Sequence, residues 1–191
     1  MITMSHPILL LLGFWYILPA YVANGFAVFA KFFASPHPID RGRVLKDERF
    51  ILGPGKSWEG FIIGFISGVC VGLLQVFTAP FLEALIVQYL ILPPELFPIV
   101  LLPIPLVMMV ALGALIGDLI GSFVKRRMNI SRGRPAPLLD QLDFLIMAIL
   151  FGCLITPLPL IFVAFLLIVT PIIHLLANVI GYLLRLKKVP W

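Results

Sequence analysis

The sequence predicts an all-α polytopic membrane protein with five transmembrane helices, its N-terminus outside and its C-terminus cytoplasmic. Three observations predict it. Of 191 residues, 61% are hydrophobic and only 12% charged, against roughly 25% charged in a soluble domain, and mean hydropathy is +1.12. Uncharged stretches run 1–30, 60–82, 96–117 and 144–184, and about 20 apolar residues suffice to cross a hydrocarbon layer roughly 30 Å thick. All 14 Lys and Arg residues fall in three windows, 31–56, 125–134 and 185–188. Two spans separate each window from the next, so positive-inside bias can hold all three in the cytoplasm.

Stretch 1–30 lacks a basic start and a small-residue cleavage pattern, so it reads as a retained first helix rather than a removed signal. Window 34–58 is dense in Pro, Gly and charge and reads as an ordered loop. Stretch 60–82 is the second span. The connection around 80–98 carries Glu83 and Glu95 with no basic residue, as an external loop should, and Pro80, Pro93, Pro94 and Pro98 mark the chain reversal. In the third span, 96–117, Gly113 and Gly117 begin a four-residue repeat continued by Gly121, a flat stripe where another backbone can approach. That stripe favours helix packing; it permits a homodimer without demanding one. Window 122–143 continues the third span and breaks at Arg132-Gly133-Arg134-Pro135. The last stretch holds 41 residues, about 60 Å as a single helix, so it must cross twice, with the break at Thr156-Pro157-Leu158-Pro159. Pro171 is a candidate kink in the span after that break. Residues 1–191 thus form a single membrane domain, multi-pass in the cell membrane, with cytoplasmic loops about 34–58 and 122–143. Cys70 and Cys153 sit inside spans as small hydrophobes, and His174 and Asn178, at i and i+4, read as a bond between helices.

Carboxylates beside the second basic window point to chemistry. Asp118, Ser122 and Lys125 stand at i, i+4 and i+7, so on a helix they share one face over two turns. Arg126 and Arg127 flank that face. An ionised carboxylate costs about 2.5–3.5 kcal/mol at mid-membrane and less near the interface, so Asp118 should point into a wet cavity. Asp140 and Asp143, at i and i+3, open the fourth span. Three carboxylates with four or five cations would line one cytoplasm-facing crevice, and such hard, sparse oxygen ligands suit Mg2+ carrying a phosphate substrate. A polyanion such as a nucleoside triphosphate fits the cations, and no nucleic-acid partner is implied. Gly53-Pro54-Gly55-Lys56-Ser57 adds a Gly-rich turn ending in a cation and a hydroxyl, without the spacing of a P-loop. The bland alternatives are an anchor of Lys125, Arg126 and Arg127 on anionic headgroups, with Asp140 and Asp143 neutralising it. Asn24 in the first span carries no assignment from spacing alone.

GDLIGSFVKRR at 117–127 followed by LLDQLDF at 138–144 resembles the signature half of the CDP-diacylglycerol synthase superfamily of membrane-embedded cytidylyltransferases, and most closely its archaeal branch, the CDP-archaeol synthases. Leu18-Pro19-Ala20-Tyr21-Val22-Ala23-Asn24, Pro38-Ile39-Asp40, ILGPGKSWEG at 51–60 and PIIHLLANVIGYLLRLKKVPW at 171–191 extend the likeness over most of the chain. The bacterial and eukaryotic relatives carry a Lys-Asp pair and a Gly-His-Gly-Gly run where this chain has SRGRPAPLL at 131–139, so no role is carried over to residues 128–137. Glu59 also departs from the basic residue of many relatives.

The resemblance implies condensation of CTP with a lipid phosphate, releasing pyrophosphate; for the archaeal branch the acceptor is 2,3-di-O-geranylgeranylglyceryl phosphate and the product CDP-archaeol. It implies Asp118, Asp140 and Asp143 as Mg2+ ligands, Lys125 and Arg126 bracing the triphosphate with Arg127 beside them, and Asn24, Lys56, Ser57 and Ser122 as substrate-binding residues. Membrane lipids surround the protein and the active site faces the cytoplasm. The alternatives are CDP-diacylglycerol synthase acting on phosphatidate and, outside enzymology, a small ion or metal transporter. A CDP-alcohol phosphotransferase is disfavoured, because its Asp-Gly and Ala-Arg signature is absent.

Overall fold

The computed structural model describes residues 10–89 and 92–183. The third basic window, 185–188, and the end of the 171–191 block lie outside the described residues. Regular structure among those residues is helical: α1 Leu11–Phe26, extended by a 3-10 turn Ala27–Phe32; α2 Trp58–Tyr89; a short 3-10 turn Pro94–Leu96 leading into α3 Phe97–Leu101; α4 Ile104–Arg127; α5 Leu139–Cys153; and α6 Leu160–Leu183. Among the described residues, four stretches are long and apolar enough to cross a membrane: Leu11–Phe32, Trp58–Tyr89, Ile104–Arg127 and Leu160–Ile180. The expected break at Thr156–Pro159 lies between α5 and α6. At 15 residues, α5 reaches about 22 Å.

Helix α1 is central, touching α2, α3, α4, α5 and α6. Tyr16 and Ile17 are fully buried in a core with Val107, Val110, Leu145 and Phe162. Pro19 lies inside α1 and has no N–H to offer the Trp15 carbonyl one turn back. Gln75 of α2 supplies the missing donor, its Nε2 donating to Trp15 O at 2.7 Å. Helix α2 meets α1 and its 3-10 extension along Gly60, Gly64 and Gly68, and α4 at Gly72 against Val107, all four glycines buried, a four-residue repeat the sequence reading passed over. A Cβ on Gly68 would stand 2.7 Å from Pro19 O, so only a glycine lets the two backbones approach this closely.

Helix α4 packs on α5 as the Gly113, Gly117 and Gly121 stripe expects. A Cβ on Gly113 would lie 2.6 Å from Met147 O, and one on Gly117 or Gly121 would collide with Asp143. That surface is filled from within the chain and is not available to a second copy.

Two expectations need correction. Pro80 does not end the second span; α2 runs through it to Tyr89. A helix of 32 residues is about 48 Å long, more than the apolar layer, so the chain reversal comes well after Pro80. Helix α4 ends at Arg127 rather than at 132–135, because Asn129 takes a left-handed backbone with φ 60, a conformation Asn tolerates and helices use to stop. Pro171 lies inside α6, as a kinking residue would.

Candidate active site

Loop 33–57 is ordered by its own backbone. A hairpin over 43–51 is closed by Leu45 N donating to Arg49 O and Ile51 N to Arg43 O, and Pro38 pairs with Ser57 across the loop's base. Asp40, buried, holds the next turn of the chain. Its Oδ2 accepts Leu52 N at 2.9 Å and Gly53 N at 2.8 Å, and its Oδ1 accepts Gly42 N at 3.0 Å. Gly53 sits at φ 95, where a side chain would be strained. This turn delivers Lys56 to α4.

Burial alone would raise the Asp40 carboxyl, but the backbone N–H groups of Gly53, Leu52 and Gly42 outweigh it and hold the group below the ordinary Asp range. A carboxyl held low by folding contributes stability that is complete above its unfolded value, about 3.9, and is lost as pH falls through the folded value. Amide exchange of Leu52 and Gly53 should therefore stay slow down to about pH 4 and quicken below it. Protection that faded between about pH 7 and 5 would remove Asp40 as the anchor.

One ion pair joins the first loop to α4, and another joins α4 to α5. Lys56 Nζ stands 2.5 Å from Asp118 Oδ2 on α4. Lys125 Nζ, two turns further along α4, stands 2.6 Å from Asp140 Oδ1 on α5, and Asp140 Oδ2 accepts Ala136 N at 2.9 Å. Asp143 Oδ1 accepts Phe144 N at 2.6 Å, while its carboxyl group lies over Gly121 within electrostatic reach of Asp118, Lys56 and Asp140. The sequence expectation that three carboxylates gather as one set takes a looser form: among the described residues, no three Asp, Glu, His or Cys side chains are spaced around a single ion. Asp118 and Asp140 are each drawn to a lysine instead. The shared face of Asp118, Ser122 and Lys125 is present on α4 as its spacing requires.

Two cavities meet at Lys56. The smaller, about 220 Å³, lies among α1, α2 and α4 and is lined by Asn24, Lys56, Ser57 and Asp118 with apolar Val28 and Leu119. The larger, about 500 Å³, opens between the two loops and is lined by Gly53, Lys56, Ser122, Lys125, Arg126 and Arg132. Ser57 is also the residue before α2, and its Oγ accepts Gly60 N at 3.3 Å, a helix cap. Arg126 Nε is buried with no hydrogen-bond partner among the described residues. Neither cavity's lining includes Arg127, Asp140 or Asp143. Arg127 donates to Asp47 and to the carbonyls of Arg49 and Phe50. His174 Nδ1 and Asn178 Nδ2 lie 3.2 Å apart on one helix, α6.

Sequence reasoning missed Asp40, Asp47 and Arg132 as parts of this site. Asp40 carried a signal, an Asp shortly before a Gly-Pro-Gly turn, whereas the partners of Asp47 and Arg132 come from contacts with no local trace. Arg132 lies against Gly55, where a Cβ would stand 3.4 Å from Arg132 Nε.

Comparison with known proteins bears on what this arrangement does. A CDP-archaeol synthase from Pyrococcus horikoshii is 46% identical over 95% of this chain and 97% of its own length. One from Methanocaldococcus jannaschii is 41% identical over 96% and 98%. A solved structure described as an intramembrane enzyme for archaeal membrane lipids biosynthesis superposes with a TM-score of 0.64 at 38% identity, covering 86% of this chain and 91% of that one. The CarS-like CDP-archaeol synthase family model matches residues 7–191, and the chain belongs to that family.

Proposed function

We propose that this enzyme condenses CTP with 2,3-di-O-geranylgeranylglyceryl phosphate to give CDP-archaeol and pyrophosphate. The observation that carries the reading is the convergence, at one end of an apolar bundle, of Lys56, Asp118, Lys125, Asp140 and Asp143 in a chain whose near-full-length relatives are CDP-archaeol synthases. In this reading α5 forms a fifth crossing, closed by the turn that follows it. The two loops face the cytoplasm, with the N-terminus outside and the C-terminus inside.

An oxygen of the lipid phosphate attacks the α-phosphorus of CTP in line. A new P–O bond forms as the bond to the β-phosphate bridging oxygen breaks, and pyrophosphate leaves with the electron pair. No protein nucleophile is needed; alignment and charge neutralisation supply the rate. Lys125 and Arg126 brace the triphosphate from α4. Lys56, at the junction of the two cavities, reaches both reactants, and the Ser57 cap fixes it at the head of α2. Ser122 and Asn24 offer polar contacts on either side of Asp118.

The donor set fits magnesium. Gly121 leaves room that the Asp143 carboxyl group fills, directing hard oxygen toward Asp118, and magnesium needs only one or two carboxylates besides water and phosphate. Asp118, Asp143 and Asp140 would hold it, and when bound it offsets phosphate charge.

Purified protein incubated with labelled CTP, magnesium and the ether lipid phosphate should release pyrophosphate only when lipid is present. Equal rates with phosphatidate would widen the acceptor to ester lipids. No consumption of CTP with any lipid would sink the reading and favour transport.

A further inference from the structure

The hairpin over 43–51 is tied to the end of α4 from both sides. Arg127 Nη1 donates to both Asp47 carboxylate oxygens, at 2.8 and 2.7 Å. Its Nη2 donates to Arg49 O at 3.3 Å and Phe50 O at 2.5 Å. In return, Arg49 Nη1 donates to Arg127 O at 2.9 Å, satisfying a carbonyl of the last helical turn. All five bonds join residues 77 to 80 positions apart in the chain, so they cross between the two loops rather than stabilise either alone. The hairpin's second strand runs directly into Phe50, Leu52 and Gly53–Lys56, one wall of the larger cavity. The opposite wall is Ser122, Lys125 and Arg126, immediately before Arg127 on α4.

We propose that Asp47 and Arg127 form a latch that sets the gap between these walls, acting as positioning residues for nucleotide binding without touching the nucleotide. The proposal rests on reading that cavity as the CTP site. It gives Arg127 a task that the sequence expectation of direct substrate contact does not, since the two nitrogens of its outer guanidinium edge are spent on the hairpin. A charge-assisted pair of this kind holds a loop at fixed distance, and backbone acceptors at Arg49 and Phe50 add the orientation.

Asp47→Ala in the full chain tests it, because Asp47 is partly exposed at a loop tip and its loss leaves the core intact. The KM for CTP should rise about fivefold, the scale of one such pair, with kcat at saturating CTP and the KM for lipid phosphate unchanged. Arg127→Ala, which also drops the two carbonyl contacts, should raise the KM further, and the double variant should be no worse than Arg127→Ala. If the guanidinium instead held phosphate, Asp47→Ala would free it and leave CTP affinity unchanged or tighter, and that result overturns the latch. Amide exchange at Leu45 and Ile51 gives a readout independent of turnover: faster in Arg127→Ala, which leaves the hairpin's own bond from Arg49 N to Asp47 Oδ1 in place, if the latch is real, and unchanged if it is not. A wild-type protein that consumed no CTP would refute the functional reading, while exchange would still judge the latch.

Discussion

Asp143→Asn is expected to lower pyrophosphate release by at least about a thousandfold, the scale of losing a charged group aimed at a phosphoryl transition state. Asn matches Asp in shape and keeps an oxygen to accept Phe144 N, so α5 should still begin where it does. What it loses is the charge. The carboxyl lies over Gly121 within reach of Asp118 and Asp140, where a neutral amide would leave the proposed magnesium one anionic ligand short. Thermal unfolding in detergent should change little. Asp118→Asn should act in the same direction, and near-normal turnover in both variants would take these residues out of the proposed metal site.

The second large effect separates catalysis from folding within one stripe. A methyl added at Gly121 meets the Asp143 side chain, which can swing aside; one added at Gly117 meets the backbone of Asp143 and Phe144, which cannot. Gly121→Ala should therefore cost about a hundredfold in turnover, as displaced catalytic groups do, with the folded protein still recovered. Gly117→Ala forces α4 and α5 apart and should destabilise by about 3 kcal/mol, seen as a lower unfolding temperature and poor yield. Equal behaviour of the two variants would mean that the stripe does not discriminate between side chain and backbone as described.

Much of this was legible in the chain because its signals are local. Glycines four apart predicted the close face of α4, Thr156–Pro159 predicted the turn before α6, and the spacing of Asp118, Ser122 and Lys125 predicted their common face. Where the reading failed, the deciding partner was distant. Pro80, expected at the chain reversal, lies inside α2, which runs on to Tyr89, and Pro19, on which the sequence reading was silent, is tolerated because Gln75 replaces its donor. Arg127 looks like its neighbours Lys125 and Arg126 in sequence, yet Asp47 and two hairpin carbonyls occupy it. Asp118 and Asp140 each lie against a lysine, Lys56 from the first loop and Lys125 from α4, pairings that spacing along the chain does not announce.

The shortness of α5 has a consequence for the bilayer itself. In the five-crossing reading, its 15 residues fall about 8 Å short of a 30 Å layer. Lipid adapts to a short crossing by thinning, so the inner surface should dip around Leu139 and carry headgroups and water down with it. The greasy substrate then need not climb out of the membrane to react: the membrane surface sinks to the carboxylates.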